Sequence, residues 1–147
     1  MSTLFYKKLQ NCIFFKTISH DIFYREGVVI WYSINMKIHE MNLQPKYFDF
    51  MKDRTKRIEL RLYDEKRSQI EIGDIIEFSK SENDKLKAEV IGLLRYNSFK
   101  DLLEDFDISI LADASMTKDE LLSVLNEFYT PEKQAQYGVV GIRLKML

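Results

Sequence analysis

From residue 36 onward, apolar and polar positions follow one another in stretches that read alternately as strand and helix. Lys37 to Leu43 is a short extended stretch. Pro45 then opens a helix at its first turn, with Tyr47, Phe48 and Met51 as its apolar stripe. A strand is predicted over Thr55 to Tyr63, where Ile58, Leu60 and Leu62 alternate with Arg57, Glu59 and Arg61. That period of two places one set in a core and the other toward solvent or a ligand. Gly73 and Asp74 mark a turn before a strand at Ile75 to Phe78. After the polar loop from Ser81 to Asp84, a longer strand runs from Leu86 to Tyr96, with Gly92 as a bulge candidate.

Two helices carry start signals. Ser98 caps one whose Phe99, Leu102, Leu103 and Phe106 share a face. Thr117 and Glu120 form a capping box for the other, with Met116 and Leu121 spaced as a hydrophobic staple. In this second helix Leu121, Val124, Leu125 and Phe128 are the expected buried stripe, and Pro131 is the expected stop. The chain closes on a strand that puts Val140, Ile142, Leu144 and Met146 on one face. Five strands with interposed helices predict an α+β fold built on a small curled sheet or barrel, not a doubly wound parallel sheet.

The first 35 residues are different. They hold eight of the 19 aromatic residues and a charge of +2, whereas residues 36–147 carry −3. Only Gly27 to Ile34 reads as a strand there. Residues 1–35 are therefore expected to be an appendage, either an extra strand or the product of a start codon read too early, with Met36 as the true initiator. Residues 36–147 are expected to be the domain.

Composition narrows the function. A chain of 147 residues with 46% hydrophobic content suffices for one core. A net charge of −1 provides no global field for nucleic acid or an anionic membrane, so any polyanion contact has to be local. No apolar run approaches the roughly 20 residues of a membrane span, and the run from Cys12 to Phe15 after Lys7 and Lys8 is too short for a signal peptide. The single cysteine, Cys12, reads as a small packing residue and suits a reducing, cytoplasmic setting. With only His20 and His39 besides, a metal site is not expected, and no motif calls for a cofactor.

Standard catalytic motifs are missing, which leaves the charged strand. Glu59 and Arg61 point the same way, roughly 6 to 7 Å apart, close enough to share a ligand or to pair. At the mouth of the strand, the Lys56 ammonium could anchor a phosphate or act as a base. Arg61 offers a planar fork, and Glu59 could accept from an exocyclic amino group. The same alternation also describes an ordinary solvated face. His39 and Glu40 read as a strand end in solvent. Tyr63, Tyr96 and Tyr137 read either as packing residues with wetted hydroxyls or as stacking platforms.

The order Lys56-x-x-Glu59-x-Arg61, then Gly73-Asp74-Ile75-Ile76-Glu77-Phe78, the strand from Ala88 to Arg95, the helix opening at Ser98-Phe99 and Tyr137-Gly138-Val139-Val140-Gly141-Ile142 resembles the ASCH domain. The resemblance runs from about Met36 to the C-terminus. It implies a PUA-like β-barrel of about five to six strands with three to four flanking helices. It also implies a cleft that binds RNA or a nucleotide-like molecule through Lys56, Glu59 and Arg61, with Tyr63 and Tyr137 as further contacts. One branch of the family hydrolyses acetylcytidine with a lysine, a threonine three residues beyond it and a downstream glutamate. Lys56 matches that lysine, but the other two positions fall on Glu59 and Ala114, with the adjacent Asp113 as the candidate to substitute for the glutamate carboxylate. A carboxylate cannot replace a hydroxyl nucleophile in the same step, so this activity is disfavoured. Hydrolysis of an RNA phosphodiester, with Glu59 as base, stays open as the alternative to simple binding.

Overall fold

A computed structural model describes residues 22–25, 28–31 and 36–147. The chain divides into two units, residues 1–35 and residues 36–147. In the first unit, β1 (Ile22–Arg25) and β2 (Val28–Trp31) pair antiparallel, with Ile22 opposite Trp31. The strand expected over 27–34 is thus present as β2, and its partner β1 was not foreseen. The readings of Cys12, His20, Lys7 and Lys8 fall outside the described residues.

The second unit contains β3 (Ile38–Asn42), α1 (Pro45–Lys52), β4 (Ile58–Leu62), β5 (Ile75–Ser79) and β6 (Lys85–Tyr96). These are followed by α2 (Phe99–Asp105), α3 (Lys118–Phe128), α4 (Pro131–Tyr137) and β7 (Val139–Met146). Its five strands form one curled sheet in the order β3-β5-β6-β7-β4, parallel between β3 and β5 and antiparallel elsewhere. The α+β architecture expected from the pattern is the one observed.

Two hydrophobic clusters cover the two faces of the sheet. One joins Met41, Phe48, Met51, Ile76, Phe78, Val90, Val140 and Ile142, so that α1 packs on the concave face. The other joins Ile58, Leu60, Leu62 and Val139 to Phe99, Leu102, Leu111 and Leu121 beneath α2 and α3. Alternate residues of β7 divide between them: Val139 belongs to the second cluster, Val140 and Ile142 to the first. Local signals in the sequence account for the helix ends. The Ser98 hydroxyl accepts from the Asp101 N–H, and the Thr117–Glu120 capping box is made in both directions. The ladder between β6 and β7 slips by one residue between Val90 and Gly92, where a Cβ on Gly92 would lie 3.2 Å from the Arg143 side chain.

Three expectations change. β4 is shorter than Thr55 to Tyr63, and its charged side is enclosed as well: Glu59 is buried against Lys56 and Arg61, and Arg61 bonds to Tyr129 and Asn42. Pro131 does not simply end a helix. α3 stops at Phe128, and Thr130 then caps α4, with Pro131 in the first turn where its missing N–H costs nothing. His39 does not end in solvent: its Nε2 lies 2.8 Å from the buried Asp74 carboxylate. No helix among the described residues is long and apolar enough to cross a membrane.

Candidate functional site

Among the described residues the charged strand lies at an edge of the sheet, paired only with β7. After α1, Arg54 adopts a positive φ of 63° and reverses the chain. The N–H groups of Thr55 and Lys56 then both bond back to the Phe50 carbonyl. This turn tucks Lys56 under β4. Ile58, Leu60 and Leu62 face the α2–α3 cluster, which leaves Glu59 and Arg61 on the opposite side.

There the three charges form one buried array. Lys56 is 4% exposed, and its ammonium donates to the carbonyls of Ile58 at 2.8 Å and Leu111 at 2.5 Å and pairs with the Glu59 carboxylate at 3.3 Å. An ammonium has three N–H donors, so all of them are spent. Burial lowers the Lys56 pKa, and the neighbouring Glu59 opposes that fall. The other oxygen of Glu59 accepts from Arg61 Nε at 2.9 Å. Arg61 also donates to the Tyr129 hydroxyl at 3.3 Å and to the Asn42 carbonyl at 2.9 Å. Burial pulls the Arg61 pKa down, but Glu59 and Tyr129 together outweigh it, and the net shift is upward. Arg61 uses three of its five N–H groups in these bonds, which leaves two unspent.

This array forms the polar end of a cleft of about 210 Å³. Asn42, Leu43, Gln44 and Tyr47 enter from the β3–α1 junction, Leu111 and Ala112 from the loop before α3, and Leu121, Val124, Leu125, Phe128 and Tyr129 from α3 and its end. The lining is therefore largely apolar with a few convergent polar groups, as ligand sites are, although it is smaller than the roughly 300–1,000 Å³ of a drug-sized site. Space of this size suits one ring. The α3 stripe, expected to be wholly buried, splits in two: Leu121 and Leu125 are core, Val124 lines the cleft, and Phe128 is 55% exposed at its edge.

The cleft brings together Lys56, Glu59 and Arg61. It does not take in the other candidates. Asp113 lies beside the lining residue Ala112, but its carboxylate pairs with Lys46 at 2.7 Å and accepts from Ser115. The Lys46 bond, followed by those from Ser115, lowers its pKa to about 2. Tyr63 and Tyr137 are absent from the lining. Tyr63 lies under the Arg95 guanidinium, and Tyr137 borders a separate groove. Sequence reasoning missed Asn42, Gln44, Tyr47 and Tyr129, which come from the ends of separate elements and share no spacing. Phe128 did leave a signal, as the outermost apolar position of a stripe wider than its helix can bury.

None of the curated proteins matches the chain. Solved structures do. Hypothetical protein PH0355 is 40% identical, with 75% of this chain and 99% of that one covered at a TM-score of 0.69. Protein PF0455 from Pyrococcus furiosus is 39% identical, covering 75% and 97% at 0.63. ZmASCH from Zymomonas mobilis shares the fold at a TM-score of 0.51 and only 10% identity, over 74% of this chain and 68% of that one. The ASCH domain pattern itself matches residues 41–147, most of the sequence, and the curled five-stranded sheet is consistent with that match. The chain belongs to the ASCH domain family.

Proposed function

We propose that residues 36–147 act as an RNA- or nucleotide-binding module whose cleft receives a single base, with residues 1–35 as an appendage. The observation that carries this reading is the pairing of Glu59 with Arg61 at the polar end of an otherwise apolar, ring-sized cleft. Glu59 still has lone pairs for an exocyclic amino group, and Arg61 has two N–H groups for a base edge or a phosphate oxygen. Tyr47, Phe128 and Tyr129 supply aromatic surface. Membership of a family regarded as generally RNA-binding supports the same choice of ligand. In this reading Lys56 positions Glu59 and does not meet the ligand. The single cysteine fits action in the reducing cytoplasm.

The hydrolytic alternative has no observation in its favour. Lys56 has no donor to spare, and Asp113 is held by Lys46. The binding reading is tested by fluorescence anisotropy with a labelled eight-nucleotide RNA over a range of salt. Arg61→Ala is expected to weaken binding about tenfold or more, the loss of a charged edge contact, provided circular dichroism shows an intact fold. Equal affinity for Arg61→Ala and the parent chain would remove the cleft from consideration.

A further inference from the structure

A second concavity, of about 380 Å³, lies where β6 ends and α4 turns into β7. Arg95, Tyr96, Asn97, Gln136, Tyr137 and Gly138 line it, and Arg95 is the one charged side chain among the described residues of the lining. The Tyr96 hydroxyl is turned away to the Asp105 carboxylate. Arg95 itself has no hydrogen-bond or ion-pair partner among the described residues. Its guanidinium carbon lies over the Tyr63 ring, 3.0 Å from the centroid. An arginine held this way keeps its stem and plane fixed while all five N–H donors point outward from the edge of the fork.

The backbone is arranged to allow that stack. Gly138 lies beside the stack, its carbonyl accepting from the Tyr63 N–H, with a φ of 71°, and a Cβ there would lie 3.2 Å from the Tyr96 carbonyl and 3.9 Å from Arg95 Nη2. Buried Gln134 fixes the adjacent helix by accepting from the Phe99 N–H and donating to Asn126 and the Tyr129 carbonyl. The register also places the groove in relation to the cleft. Arg95 and Arg61 both lie opposite Val140, one on β6 and one on β4, so they share a face and their Cα atoms are separated by two strand spacings, roughly 10 Å.

We propose that the Arg95–Tyr63 groove is a phosphate site that holds the backbone of the strand whose base enters the cleft. The chemistry supports an oxyanion. A fork with neutral amides and a phenol around it matches the several acceptor oxygens of a phosphate, and among the described residues no lining carboxylate competes for it. The identity of the strand rests on the function proposed above, whereas the phosphate site does not.

Two measurements separate the two. In the first, inorganic phosphate is titrated into the full chain while the Arg95 Nε–Hε resonance is followed by NMR, with chloride at matched ionic strength as the control. A saturable shift specific to phosphate is expected, and a response no larger than that to chloride overturns the site. In the second, Arg95→Gln is compared with the parent chain for binding of the eight-nucleotide RNA. A roughly tenfold loss and a salt slope shallower by about 0.7 to 1 are expected for one lost phosphate contact. Arg95 is exposed, so an unchanged melting temperature is expected to accompany that loss. A phosphate-responsive Arg95 whose replacement leaves RNA affinity and slope unchanged breaks the link between groove and strand. Loss of binding in Arg95→Gln, with none in Arg61→Ala, overturns the cleft reading and leaves this site standing.

Discussion

Arg61 and Arg95 share a face of one sheet and lie opposite the same valine, yet they live in different electrostatic worlds. Arg61 is mostly enclosed and hydrogen-bonded to Glu59, Tyr129 and Asn42. Arg95 is exposed, stacked on Tyr63 and bonded to nothing described. The difference arises from what each edge of the row meets. β4 is roofed by α3 and the Leu111 loop, whereas the end of β6 opens beside a glycine. A charge that is surrounded by partners shapes the site, and a charge that is oriented but unpartnered is available to a ligand. Lys56 is the extreme of the first kind.

The largest expected effect breaks that contrast in stability. Lys56→Met removes the ammonium while nearly keeping its volume, and it strands the Ile58 and Leu111 carbonyls that it satisfied. Disrupting a buried charge array in this way costs roughly 3–5 kcal/mol, measured by urea unfolding. Arg95→Met is expected to cost no more than about 1 kcal/mol, the loss of an exposed stack on Tyr63. The Lys56 change also has a pH signature. Burial holds the folded pKa of Lys56 below its unfolded value of 10.5. Between those two values the unfolded chain binds more protons, so the stability contributed by Lys56 rises with pH there. Lys56→Met should remove that alkaline rise, whereas an equal rise in the variant would show that the ammonium is not buried.

The contrast also explains what could be read in advance. The Ser98 cap and the Thr117–Glu120 box are local, and the structure realises both; the period of two in β4 sends Ile58, Leu60 and Leu62 to one cluster, but burial extends to both sides of the strand. Spacing alone placed Glu59 and Arg61 side by side. It could not show that Lys56 would be saturated, because one acceptor lies 55 residues away, nor that Arg61 would reach partners 68 and 19 residues distant. The helix α4 escaped notice because Pro131 was read as a stop, although Thr130 followed by proline is equally a start. The Arg95–Tyr63 stack joins two strand ends across a third strand, a contact that no single-chain period encodes.

A smaller effect tests whether enclosure by partners works alike at the opposite edge of the sheet. Beside β3, buried Asp74 accepts from the Lys37 and Glu71 N–H groups, each at 3.0 Å, and from His39. Burial alone would raise its pKa, but these bonds prevail and lower it. A carboxyl with a depressed folded pKa contributes stability above its unfolded value, near 4, and loses it as pH falls through the folded value. Asp74→Asn is therefore expected to cost about 1–3 kcal/mol at neutral pH and to flatten the acid limb of a stability-versus-pH curve. An unchanged acid limb would mean that Asp74 is not the group that titrates there.

The smallest effect sharpens the difference between the two arginines themselves. Gly138→Ala places a Cβ at a φ of 71° and a ψ of −179°, a region essentially reserved for glycine, and brings it against the Tyr96 carbonyl. The expected loss is about 1–2 kcal/mol of stability, small enough to leave the chain folded. Its functional signature should be one-sided. The Cβ presses on the Tyr96 carbonyl and lies 3.9 Å from Arg95 Nη2, so the Arg95 resonance and its response to phosphate should change. Arg61, enclosed by Glu59, Tyr129 and Asn42, should keep its effect on RNA affinity, read as the ratio between Gly138→Ala with and without Arg61→Ala. If both arginines lost their contributions together, the row across β4, β7 and β6 would be one mechanical unit and not two independently held sites.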